Sequence, residues 1–166
     1  MKYSIKKVIV AALAISLLTS FFVYERLGGF RQEGELERYV YPSDFSDCWS
    51  VEQRQKKCRI PEEVLSEMTV EELVWAVIDY PFLYIVGLSS YWPSGGSVSL
   101  TKSSDAFAKL TECRNPENKI IKVLKEASEA EDVDASQICL AVYAFYGGQD
   151  IYFNFSKKQL KFLSKY

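Results

Sequence analysis

Residues 60–81 read Ile60-Pro61-Glu62-Glu63-Val64-Leu65-Ser66-Glu67-Met68-Thr69-Val70-Glu71-Glu72-Leu73-Val74-Trp75-Ala76-Val77-Ile78-Asp79-Tyr80-Pro81, and helical grammar fills nearly all of them. Pro61 ahead of Glu62 and Glu63 makes a good first turn. Proline stands where no amide partner is needed, and the acids face the positive end of the helix dipole. A second helix restarts at Thr69. Its hydroxyl caps the chain while Glu72, three residues on, reaches back, the reciprocal capping box. Leu73, Val74, Val77 and Ile78 then fall at i, i+1, i+4 and i+5, one broad apolar face with Trp75 and Tyr80 at its edges. Pro81 ends or kinks this helix.

Further along, Phe82-Leu83-Tyr84-Ile85-Val86 reads equally as a helix turn or a strand. Pro93-Ser94-Gly95-Gly96-Ser97 reads as a loop. Helix returns over Asp105–Cys113, where Phe107 and Leu110 share a face. Asn115-Pro116-Glu117 opens another as cap, first-turn proline and acid, with Ile120, Ile121, Leu124 and Ala127 as its inward stripe. Asp134 caps a helix from Ala135 to about Tyr146, ended by Gly147-Gly148. Ser156 and Gln159 form a second capping box, with Leu160 and Leu163 inward. Only Ile151–Phe155 looks like a strand. The expected fold is mainly α, a single helical domain of about five to seven short helices.

The run from Ile60 to Val74, continued by Val77-Ile78-Asp79-Tyr80-Pro81, resembles a recurrent helical module of exported bacterial proteins of unassigned function. In that module an I-P-E turn precedes M-S/T-x-E-E-L-V, and N-Y-P ends the helix. Asp105–Cys113, Arg114-Asn115 and Lys119–Ala127 look like its later parts. The likeness spans roughly residues 58–128. Asp79 stands where the module has asparagine, and Trp92–Leu100 reads as an insertion. The resemblance implies an exported helical protein and carries over no catalytic residue.

The amino-terminal residues point the same way by a separate argument. Lys2, Lys6 and Lys7 precede an apolar run over residues 8–24, which the export machinery reads as a signal with the lysines left on the cytoplasmic side. Small residues are poorly placed for cleavage after the run. Its 17 residues reach the lower limit for a bilayer-spanning helix, about 17–25. The aromatic end Phe21, Phe22 and Tyr24 suits a membrane interface and favours a retained anchor over a cleaved signal. The expected organisation is a signal or anchor over 1–24, a polar linker over 25–47 and a helical domain over 48–166. The expected location is the cell surface, or outside the cell after cleavage.

Twenty basic residues less the three leader lysines leaves 17 against 22 acidic, a net charge of −5 outside the leader. That balance argues against a nucleic-acid partner, which needs a basic face. All four cysteines, Cys48, Cys58, Cys113 and Cys139, fall beyond the leader. In an oxidising compartment an even number reads as two disulfides. Of the three connectivities, Cys48–Cys58 with Cys113–Cys139 closes the shortest loops. Zinc needs closer ligand pairs than the intervening gaps of 9, 54 and 25 residues allow, and the chain has no histidine.

Catalytic grammar is sparse. Without histidine the Ser-His-Asp and Cys-His solutions fall away. Ser66, Ser89, Ser103 and Lys102 exist, but not in an S-x-x-K arrangement. Glu62-Glu63 and Glu71-Glu72 are adjacent residues that point about 100° apart on a helix, unlike a facing acid and base. Dipole complementarity accounts for both pairs, and a helix end before proline accounts for Asp79. No cofactor motif is present. The aromatic clusters remain: Tyr80, Phe82, Tyr84, Tyr91 and Trp92 in one, and Tyr143, Phe145, Tyr146, Tyr152, Phe153 and Phe155 in another. Packing explains most such rings. Tyr84, Tyr91 and Trp92, beside a glycine-rich loop, are the expected contact surface for a protein, peptide or glycan. The expected function is thus an exported interaction domain without catalytic activity. The rivals are a small-ligand binder and a hydrolase using carboxylates or a Ser–Lys pair.

Overall fold

The computed structural model describes residues 29–33, 36–84, 100–147 and 153–166. The expected leader, with its apolar run 8–24, lies outside them, as do Tyr91, Trp92, residues 93–97 and Tyr152. Two strands, β1 (Gly29–Glu33) and β2 (Leu36–Val40), pair antiparallel with Phe30 opposite Tyr39. Eight α-helices follow among the described residues. They are α1 (Val51–Lys57), α2 (Glu62–Glu67), α3 (Val70–Ile78), α4 (Leu100–Ser103), α5 (Asp105–Glu112), α6 (Glu117–Glu129), α7 (Ala135–Val142) and α8 (Lys157–Leu163). The chain is mainly helical, with one helix more than the upper expectation. None of these helices is long and apolar enough to cross a membrane.

The centre is α3. Its capping box forms as the sequence implies: Glu72 N–H donates to Thr69 Oγ1 at 3.3 Å, and Thr69 N–H to Glu72 Oε2 at 2.6 Å. Beyond that turn the helix is buried all round, because Trp75 and Ala76 are covered as fully as Leu73, Val74, Val77 and Ile78. A helix apolar on every side belongs inside a domain. Accordingly α5, α6, α7 and β2 all touch it. Ile120, Ile121, Val123, Leu124 and Ala127 of α6 and Ile138 and Ala141 of α7 complete one continuous core.

Three local expectations are corrected. Part of the polar linker over 25–47 is a hairpin, and it belongs to the domain: Tyr39 and Tyr41 are buried in the core cluster. The Asn115 cap shifts by one residue. Pro116 occupies the cap position of α6, and Asn115 takes φ 54°, a left-handed conformation that asparagine tolerates better than most residues. After α7 the chain widens into a π turn over Tyr143–Gly147.

The disulfide expectation is also corrected. Cys48, Cys58, Cys113 and Cys139 are all free thiols in this structure. Loop length says nothing about where sulfur atoms point, and bridging needs both Cα proximity and converging Cβ vectors. Here Cys58 is buried in the core, while the Cys48 thiol donates to Asp47 Oδ1 at 3.4 Å. The Cys113 thiol donates to the Lys109 carbonyl at 3.5 Å, and the Cys139 thiol to the Tyr166 carbonyl at 3.7 Å. The domain is held by its core and not by staples.

Candidate functional site

The carboxylates weighed in the sequence are mostly engaged in the fold. Glu62 and Glu63 sit exposed in the first turn of α2, and Glu72 closes the α3 box. Glu71 accepts a short charge-assisted bond from Lys119 of α6, with Lys122 Nζ 3.9 Å away. Burial opposes ionisation of Glu71, but the Lys119 bond, a backbone hydrogen bond and the charges of Lys119 and Lys122 together outweigh it and hold the carboxyl below its ordinary value. Ser66 Oγ donates to the Glu63 carbonyl at 2.8 Å and Ser103 Oγ to the Leu100 carbonyl at 3.4 Å, both local helical bonds. Ser89 lies outside the described residues. Among the described residues no three Cys, Asp or Glu side chains gather as a metal site would require.

Asp79 is placed differently. At the C-terminal end of α3 it receives the guanidinium of Arg38 from β2, with Nε at 3.1 Å from Oδ2 and Nη2 at 2.8 Å from Oδ1. Nη1 of the same group reaches Asp132 Oδ2, after α6, at 2.6 Å. The guanidinium carbon lies 4.2 Å from the centroid of the Trp75 ring. This planar, forked cation thus ties hairpin, central helix and the α6–α7 turn together, using the bidentate and stacking geometry that lysine lacks. Burial would lower the Arg38 pKa, but Asp79 and then Asp132 more than offset it and raise the pKa above its ordinary value.

Beside this clamp opens a cleft of about 370 Å³, walled by Arg38, Tyr41, Phe45, Asp79, Pro81 and Asp132 among others. Tyr41, Tyr80, Phe82 and Phe45 run from its wall as a chain of edge-to-face rings with centroids 5.6–5.9 Å apart. Burial holds the Tyr41 hydroxyl well above its ordinary pKa, and that hydroxyl has no hydrogen-bond partner among the described residues. Tyr80 instead donates to the Ser103 carbonyl at 2.6 Å.

The first aromatic cluster therefore divides. Tyr80 and Phe82 are core, whereas Tyr84, whose ring lies 6.4 Å from Phe82, is 49 % exposed. In the second cluster Phe145, Phe153 and Phe155 are buried around Phe107, and Tyr146 is exposed. Sequence reasoning missed Arg38, because the charges around it read as a linker. A signal was present: Gly34-Glu35 is a Gly-X pair between two five-residue runs, which is hairpin grammar. Tyr39 and Tyr41 also alternate at strand spacing.

No family model matches the chain, and comparison with curated proteins and with solved structures finds no match either. What the fold defines is a mainly helical domain with an amino-terminal hairpin clamped onto its central helix.

Proposed function

We propose that this chain is an exported, surface-held interaction domain whose contact face begins at Tyr84. The observation that carries the reading is the exposure of Tyr84 at the end of a run in which Tyr80 and Phe82 are buried, ahead of the glycine-rich stretch 93–97. A tyrosine fixed at its root by Phe82 offers a large amphipathic surface at little entropy cost. Export rests on the lysine-then-apolar leader, since the thiols carry no bridge. The occupant is a protein, peptide or glycan outside the cytoplasm, with Tyr91 and Trp92 extending the contact.

The test is a photo-crosslinking residue placed at position 84 in cells carrying the full chain. Surface-partner adducts that vanish on displacement to exposed Glu62 support the proposal. A folded protein that yields no adduct from position 84, or a cytoplasm-only reporter that is active when fused after Tyr166, overturns it.

A further inference from the structure

The largest cavity among those described has no part in the clamp. It is a groove of about 700 Å³ between α6 and α8, and it shares no lining residue with the cleft beside Arg38. Its walls carry Lys122 and Lys125 from α6, Lys158 and Lys161 from α8 and Lys165 from the turn after it, against Glu126 and Glu129. Five lysines against two glutamates leave three net positive charges, in a chain whose total is −2. The positive field is thus local to the groove. Of the five, Lys122 lies near Glu126 and Glu71, at 3.8 and 3.9 Å. The other four make no ion pair among the described residues.

Helical geometry explains the array. Lys158 and Lys161 stand at i and i+3 on one face of α8, about 4.5 Å apart along its axis, and Lys165 follows in the turn just past its end. Between the two walls lies an apolar component. Ile121 is buried, Phe162 is half-buried, and both line the groove. The ammonium groups of Lys125 and Lys165 lie 5.4 and 6.0 Å from the centroid of the Phe162 ring. The negative ring face holds two like charges near one another at the groove. At one end Gln159 Nε2 donates to Asn118 Oδ1 at 3.0 Å and ties the walls together.

We propose that this groove docks an acidic peptide segment of a partner protein, with carboxylates meeting the lysines and one apolar side chain seated between them on Phe162. Charge complementarity carries the choice of occupant, because a segment rich in acids is opposite in sign to the three net positive charges of the groove. The volume matches a short segment and falls within the usual range for binding pockets, about 300–1,000 Å³. A nucleic acid is the disfavoured rival. Its evenly spaced phosphates would run against Glu126 and Glu129, whereas a peptide can present uncharged residues there. The groove is a second site, independent of the Tyr84 face.

The probe is a fluorescein-labelled ten-residue peptide alternating glutamate with serine around a central leucine, titrated by anisotropy against the full chain in detergent. Saturable binding is expected, weakening as salt rises. Replacing the glutamates by glutamine should abolish it, and Leu→Ser in the peptide should weaken it. Lys125→Glu and Lys161→Glu should each weaken it by about tenfold while the melting temperature holds, because exposed side chains rarely set stability. Tyr84→Ala should leave it unchanged, which separates failure at this groove from failure at that face. Equal binding of the glutamine peptide, indifference to both lysine variants, or tighter binding of single-stranded DNA or polyphosphate than of the peptide would each overturn the proposal.

Discussion

Arg38 and Asp79, 41 residues apart in the chain, meet side by side, Nη2 lying 2.8 Å from Oδ1 and 2.9 Å from Oδ2 while Nε lies 3.1 Å from Oδ2. The pair joins the hairpin to the end of the central helix, and the side chains are only 13 % and 21 % exposed. Removing one partner takes from the other its bidentate contact in a partly dry site.

Arg38→Ala should therefore destabilise the domain by about 2–3 kcal/mol, somewhat less than the loss of one partner from a fully buried pair. Arg38→Lys should recover little of this, because an ammonium cannot reproduce the fork or the stack on Trp75. Asp132→Asn should cost no more than about 1 kcal/mol, since that carboxylate is 55 % exposed. Urea unfolding of the three variants checks the order. Equal losses for Asp132→Asn and Arg38→Ala would show that the clamp does not work as a buried pair.

Burial ranks two conspicuous apolar residues in opposite ways. Leu73→Ala opens a cavity at the centre of the core and should cost about 2–5 kcal/mol. Trp49, the larger side chain, is 93 % exposed, so Trp49→Ala should stay within about 0.5 kcal/mol. Thermal melts of the two variants compare them directly, and a Trp49→Ala protein that melts as early as Leu73→Ala would contradict the assignment.

The thiols and buried phenols predict an alkaline limit to stability. Burial pushes the Cys58 thiol from 9.0 up to about 12 and the Tyr39 phenol from 10.0 up to about 12, with Tyr41 and Tyr80 also raised. Above the unfolded values the denatured chain has lost protons that the folded chain keeps, so stability falls as pH climbs from about 9 towards 12. Below about pH 9 this contribution is complete. At pH 8, exposed Cys139 should react with a thiol reagent while Cys58 stays unlabelled until the protein unfolds. Rapid Cys58 labelling in the native state would contradict its burial.

Glu71 sets a smaller acid limb. Its folded pKa lies below the ordinary 4.5, so its contribution is present above that value and fades as pH falls through the folded pKa. Glu71→Gln should thus be less stable than the parent at pH 7, and the gap should close as pH falls below the ordinary 4.5 and through the lowered folded value. A gap that persists unchanged in acid would mean that packing, not the charge of Lys119, is what the substitution removes.

Most local signals in the chain were reliable, the displaced Asn115 cap being an exception. The Thr69–Glu72 and Ser156–Gln159 boxes form because their partners lie three residues apart, and the inward stripes of α3 and α6 are buried as their spacing implies. The capping box of Ser50 and Gln53 obeys the same rule, although it was overlooked among polar neighbours. The hairpin failed to stand out because charged residues alternating with two tyrosines also read as a solvated tether.

The sequence by itself determined most of the helices and caps and the mainly α class, because capping, dipole and periodicity act within a few residues. Tertiary structure alone decided the rest. It turned Arg38 from a linker charge into a clamp and kept the four thiols apart. It split one aromatic run into buried Tyr80 and Phe82 and exposed Tyr84. It also set lysines from two distant helices across one groove. Each of these depends on which faces meet across tens of residues, and that is fixed by how the whole apolar surface is buried at once, not by the order of the neighbours along the chain.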